Sequence, residues 1–263
     1  MRRFYLVLAL ASVSAFALAS SAFAEDWGNI KGQVVWGHGT NVPEAKKIDV
    51  NKDQQHCLSK GPIFSDAYVI DKATGGVANV MVWLAPVDKG AKIPIHPDLK
   101  AVPKEKKVID QPCCMFVPRV TMMREGQALE IKNSAPVPHN SRLTGGALNG
   151  TKNPNIPPGG SVDFDPAKGT GLKAEPRPLL LQCDIHGWMG GRVAVFDHPY
   201  FALTGKDGTF EIKNAPAGKY KIYIQHEKSG WLHTGNTSAG QVINTPAGKT
   251  LDLGKFEVKS IED

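Results

Sequence analysis

The sequence predicts an all-β protein, and three observations predict it. Apolar and polar residues alternate in short runs along most of the chain. No stretch keeps a helical period. Glycine and proline, 27 and 19 of 263 residues, stand singly between the runs rather than in low-complexity tracts, which is the distribution of turns between strands. The length allows one large domain or two small ones.

The strands can be read in order. Val34 and Trp36 alternate with polar or small neighbours, and Val80, Val82 and Leu84 do so after the Gly75-Gly76 turn. Leu129 and Ile131 follow Glu125-Gly126, and Val162 and Phe164 follow Pro157-Pro158-Gly159-Gly160. Leu179 to Leu181, then Val193 and Val195, bracket a short loop around Cys183. Phe210 and Ile212 follow Asp207-Gly208, and Tyr220, Ile222 and Ile224 follow Ala217-Gly218. Strands at this spacing suggest one β-sandwich or two. Residues 86 to 107, rich in Pro and Lys, read as a long surface connection or a domain boundary. A second boundary falls near Asp197-His198-Pro199.

The N-terminus reads as an export signal. Arg2 and Arg3 precede an almost uninterrupted apolar or small-residue run over 4–21, and Ala22-Phe23-Ala24 gives a small-x-small cleavage site. Residues 1–24 are therefore expected to be removed after Ala24, which places the mature chain in the periplasm or outside the cell with no membrane span. The alternative, an uncleaved anchor, draws on the length of the apolar run. No cysteine follows that run to carry a lipid. The net charge of +6 is mild, and the lysines are scattered. No basic stripe with interleaved aromatics marks a nucleic-acid partner.

All four cysteines, Cys57, Cys113, Cys114 and Cys183, lie in the exported part. There cysteines tend to pair or to be held by metal. Adjacent Cys113 and Cys114 are poor partners for each other. With Cys183 assigned to a metal, Cys57 pairs with Cys113 or Cys114. Cys114 is favoured, because its place before Met115-Phe116 suits the start of a strand.

The most informative segment is Cys183-Asp184-Ile185-His186-Gly187-Trp188-Met189. A thiolate, an imidazole and a thioether succeed one another at three-residue steps in a loop between two strands. Soft sulfur ligands suit copper, and two His and one Cys with a weak axial Met is the blue-copper set. Structural zinc would instead call for four Cys or His ligands. A bridge from Cys183 to Cys113 or Cys114 would leave the whole pattern a coincidence. The missing imidazole is best supplied by His139, which with Asn140 follows the strand-like run Ala128 to Asn133.

Asn133, then His139-Asn140, then Cys183, His186 and Met189 resemble the cupredoxins over roughly residues 105–197, with a C-x2-H-x2-M spacing most similar to amicyanin. The resemblance implies a Greek-key β-sandwich holding one type 1 copper on His139, Cys183, His186 and Met189. It also implies that Asn140 ties the two ligand loops together. Pro136, Pro138, Gly187 and Trp188 would form an apolar rim around an exposed edge of His186, where a redox protein partner docks.

A second pattern spans 203–225, where Asp207-Gly208-Thr209-Phe210-Glu211-Ile212 precedes Pro216-Ala217-Gly218-Lys219-Tyr220-Lys221-Ile222. It resembles the carboxypeptidase regulatory-like domain, a transthyretin-like β-sandwich that usually opens with G-x-V and V-x-V strands. Gly32-Gln33-Val34 and Val80-Met81-Val82 offer these far upstream. One organisation is therefore a discontinuous sandwich of 28–90 and 198–263 with the copper domain between its halves. The other is two consecutive units, with residues 28–104 elaborating the copper domain. The remaining histidines, His38, His56, His96, His198, His226 and His233, share no ligand spacing and read mostly as surface or turn residues. No Ser/His/Asp order, phosphate loop or carboxylate pair points to an enzyme. The expected function is electron transfer, and the alternative is a copper-holding or structural binding protein.

Overall fold

The computed structural model describes residues 26–39 and 41–259. The expected signal segment, 1–24, lies outside the described residues. Among them no helix is long and apolar enough to cross a membrane. The chain is all-β, with several sheets and a single short α-helix among the described residues, Gln54–Cys57.

One sandwich is formed by the middle of the chain. Ser161–Phe164, Leu129–Lys132 and Lys107–Asp110 make a three-stranded sheet. The facing sheet runs Val120–Arg124, Gly190–Phe196, Leu179–Gln182, Arg142–Thr144 and Thr151–Lys152. Their inner faces meet in a core of Ile109, Met123, Leu129, Ile131, Leu143, Phe164, Leu179, Leu181, Val193 and Val195. Period-two alternation puts these side chains on one face, and burying each large aliphatic or aromatic one contributes roughly 1.5–3 kcal/mol.

The second sandwich draws on both ends of the chain. Trp27–Trp36 lies between Thr209–Pro216, antiparallel, and Thr250–Val258, parallel. Met81–Pro86 lies between Phe201–Leu203 and Gly218–His226, and the latter also pairs with Gly230–Trp231 and Gln241–Thr245. Strands from 27–86 thus share sheets with strands from 201–258. The Asp207-Gly208 turn closes tightly on this core: Gly208 has φ 77°, and a Cβ there would sit 2.0 Å from the Val34 carbonyl. Only glycine meets both conditions without strain.

The two sandwiches are joined by strands buried on both faces. Val82 and Leu84 face the core of the second sandwich, whereas Met81 and Trp83 turn the other way. Val193 and Val195 face the first core, whereas Ala194 and Phe196 turn outward to meet Met81, Trp83, Val120 and Met122. Beside this shared core, the Arg119 guanidinium pairs with Glu227 and Asp66, and the Glu227 side chain is 3% exposed. Burial pushes the Asp66 carboxyl up in spite of Arg119.

One segment departs from the discontinuous grouping. Residues 48–63, which the discontinuous organisation groups with the second sandwich and the consecutive one with the first, pack on the first: Val50 and Cys57 belong to its core, with Ile48, Leu58 and Ile63 against it. The physical reason is covalent as well as apolar. Cys57 is bridged to Cys114, which is fully buried in the same core. Cys113 is a free thiol.

Candidate metal centre

The sequence-predicted ligands lie in two parts of the first sandwich, His139 on a short strand and Cys183, His186 and Met189 on a single loop. His139 opens the short strand His139–Asn140, which pairs with Asn155–Ile156. Cys183 follows directly on Leu179–Gln182, and the loop to Met189 leads into Gly190–Phe196. The loop closes on itself: the Met189 N–H donates to the His186 carbonyl at 2.9 Å, and the Cys183 N–H to the Met189 carbonyl at 3.4 Å. The His186 N–H points at the Cys183 sulfur, 3.4 Å away.

These elements bring three ligand atoms together. The Nδ1 atoms of His139 and His186 are 3.0 Å apart, and the Cys183 Sγ lies 3.8 Å from the first and 3.9 Å from the second. All three side chains are buried. An ion about 2.0–2.1 Å from each nitrogen and about 2.3 Å from the sulfur spans edges of this size. Met189, 2% exposed, belongs to the same core cluster as Cys183. Burial first, then the neighbouring His186 and His56, bring the His139 pKa down to about 4. Burial also lowers His186, against the pull of Asp53. Both rings are therefore neutral near pH 7, the form that offers a lone pair to a metal.

Asn140 spans the two halves of the site. Its Oδ1 accepts from the N–H groups of Asp184 (2.8 Å) and Ile185 (3.1 Å), and the Cys183 Sγ lies 3.3 Å away. Its Nδ2 donates to Asn153 Oδ1 and Asp184 Oδ2. Asn133 performs a similar task one turn earlier, donating to the carbonyls of Val137 and Ile156.

The surroundings of His186 differ from the expected rim. Pro136, Pro138 and Gly187 are exposed and Trp188 is half-buried. Yet His186 itself has no exposed edge: its side chain is 0% accessible, and its Nε2 donates to Asp53 Oδ2 at 2.9 Å. Trp188 stands edge-on to the His186 ring at 5.1 Å, and its Nε1 donates to the Cys114 carbonyl. The cover comes from the segment that the Cys57–Cys114 bridge pulls onto this sandwich. The two bridge sulfurs and a ring nitrogen of His186 all lie within 4.8 Å of one another.

Asp53 has no counterpart in the sequence reading. Nothing in Asn51-Lys52-Asp53 signals a site, and its partner lies 133 positions away. Cys57 was the available signal, because a bridge to Cys114 draws the neighbours of Cys57 towards whatever lies beside Cys114.

Three other histidines read as surface or turn residues are in fact buried: His198 at 7%, His226 at 1% and His233 at 0% exposure. Each has a structural environment of its own. His198 stacks on Tyr200 and His226 on Tyr68, and His233 accepts from the Ile224 N–H.

No family model matches this chain, and no curated protein does. Among solved structures it is similar to a purple cupredoxin from Nitrosopumilus maritimus at 17% identity, over 35% of this chain and all of that one, with a TM-score of 0.28. It is also similar to a reduced mutant of amicyanin at 17% identity, over 44% of this chain and 98% of that one, with a TM-score of 0.30. A third is the copper-containing nitrite reductase of Thermus scotoductus SA-01, at 18% identity over 43% of this chain and 25% of that one, with a TM-score of 0.30. Likenesses this partial leave the chemistry of the centre to its own geometry.

Proposed function

We propose that this chain is an exported type 1 copper protein that transfers single electrons to and from a redox protein partner. The observation that carries the reading is the buried triangle of His139 Nδ1, His186 Nδ1 and Cys183 Sγ, with edges of 3.0, 3.8 and 3.9 Å. Two imidazoles and a thiolate whose donor atoms lie within 4 Å of one another, with a thioether on the same loop, form a donor set that favours copper over zinc, magnesium or calcium. Copper held there supplies a one-electron couple.

The chain's own residues do the rest. Cys183 must give up its thiol proton to become a ligand, and the His186 N–H directed at its sulfur stabilises the resulting negative charge. Asn140 keeps the His139 strand and the Cys183 loop at fixed separation. That tie would hold the ligand positions steady between the two redox states of a bound copper and so keep the reorganisation of a transfer small. Burial of all three ligand groups excludes water from the inner face. The thioether of Met189 is one of the groups that sets the potential.

Cu(II) loading of the mature protein should give an intense visible thiolate-to-copper band, and Cys183→Ser should abolish it. A wild type that takes up only zinc, or shows only a weak copper spectrum, ends the reading.

A second reading, a copper-holding protein without a carrier role, is favoured by one observation: the His186 side chain is fully buried, with Asp53 on its Nε2. Electron self-exchange and copper release, measured on one preparation, separate the two. Fast self-exchange with slow release supports the carrier, and negligible self-exchange with ready release supports the holder.

A further inference from the structure

The group that covers His186 is placed there at the expense of its own local bonding. Asp53 is the N-cap of the helix Gln54–Cys57, the position at which a carboxylate ordinarily accepts an N–H of the first turn. Its side chain makes no such capping bond. It is turned instead onto His186 Nε2. Its backbone is left-handed, at φ 47° and ψ 37°. Such a conformation is uncommon outside glycine and persists where the surroundings over-determine it.

The surroundings here do so from two sides. The Asp53 carbonyl accepts from the N–H groups of His56 and Cys57, and Cys57 is bridged to Cys114. Cys114 is itself left-handed, at φ 58°, and its carbonyl receives the indole N–H of Trp188 from the ligand loop. The helix is thus stapled to the wall of the centre, and Asp53 projects from its end.

A carboxylate only accepts hydrogen bonds, so the proton of the neutral His186 ring resides on Nε2 and the lone pair on Nδ1 faces the triangle. The same negative charge would sit one imidazole away from an ion bound at the triangle. It favours the more highly charged oxidised form over the reduced one.

We propose that Asp53 is a positioning residue of the centre. Its carboxylate, held by the disulfide-stapled helix, fixes the metal-facing nitrogen of His186, lowers the reduction potential and shuts the outer edge of the ligand. This inference rests on the copper reading and names a control on that same site.

The test compares Asp53→Asn, which keeps an acceptor but removes the charge, with Asp53→Ala and the conservative Asp53→Glu, all copper-loaded. Asp53→Asn should retain the blue band and shift the Cu(I)-over-Cu(II) preference about tenfold, a rise of ~59 mV for one electron. Asp53→Glu should restore most of the wild-type potential. Asp53→Ala should speed electron self-exchange several-fold by opening the edge. In the wild-type Cu(I) protein, the His186 Nε2 proton should be visible by NMR and exchange slowly with water.

Potentials of Asp53→Asn and Asp53→Ala that match wild type, with the band intact, overturn the role of Asp53 and leave the copper reading standing. A wild type without the band overturns both. Should the variants fold poorly, the wild-type proton decides, and exchange as fast as that of an open imidazole rejects the cap.

Discussion

Asn140→Ala removes the acceptor that joins the first ligand strand to the ligand loop. Two backbone N–H groups lose their partner, those of Asp184 at 2.8 Å and Ile185 at 3.1 Å. A buried donor left unsatisfied costs about 1–3 kcal/mol. Asp184 is exposed and Ile185 half-buried, so water recovers part of the loss at the first. The two together come to roughly 2–4 kcal/mol. Asn140→Asp keeps the acceptor but sets a second carboxylate against Asp184 Oδ2, now 3.1 Å from the Asn140 amide nitrogen. It should keep most of the loop geometry and lose stability through repulsion, which added salt relieves. Urea denaturation of the metal-free proteins, alongside the visible spectrum of the copper-loaded ones, provides the assay. Asn140→Ala should unfold at lower urea and show a shifted or weakened band. A stability loss below about 1 kcal/mol with an unchanged spectrum would refute the idea that Asn140 holds the two halves together.

Three further outcomes follow from the fold. Arg119→Met takes the shared guanidinium from Asp66 and from the buried Glu227 side chain, leaving Glu227 the longer 3.7 Å contact to Arg192, and should cost about 3 kcal/mol, with part of the loss recovered when Glu227→Gln is added. Urea midpoints for the single and double variants check it, and equal losses would contradict a paired charge. Replacing Cys57 and Cys114 by alanine opens a bridge spanning 57 positions and should lower stability by about 4 kcal/mol in the chain-entropy account. An unchanged midpoint would show that packing alone holds 48–63 in place. Metal-free stability should also fall with acid. Burial, the leading cause in each case, brings His139, His198 and His226 to about 4, against about 6.5 when unfolded. The unfolded chain therefore takes up protons first as the pH drops. Their stabilisation is complete above about 6.5 and is lost on the way down to about 4. Asp66, raised by burial, runs the opposite way but is one group against three. Unfolding free energies that stay flat between pH 7 and pH 4 would refute this.

The sequence made parts of this molecule readable and hid others, for identifiable reasons. Cys183, His186 and Met189 sit within seven residues, so a local pattern was enough to find them, and His139 stood out through its neighbour Asn140. The strands around Ile131, Phe164, Ile212 and Ile222 alternate because one face is apolar and the other wet. Val120–Arg124 does not alternate: every residue in it is buried, since its two faces serve the first core and the junction. A strand of that kind carries no period-two signal. His198, His226 and His233 passed for surface residues because burial of a lone histidine leaves no trace in spacing. Asp53 was invisible for a related reason, since its function comes from a bridge and a turn rather than from a motif.

The strand Gly190–Phe196 begins at the ligand loop and ends in the shared junction, and this bears on how separable the two halves are. A fragment cut at residues 105 and 197 would bare Val120, Met122, Ala194 and Phe196, now covered by Met81 and Trp83. It would also lack Cys57 and with it the staple that seats Asp53. The half that carries His139, Cys183 and His186 is therefore no portable cassette. Grafting or shuffling it into another host would require transplanting residues 48–63 and refinishing the junction face with polar side chains, and a natural recombination event would meet the same two obstacles.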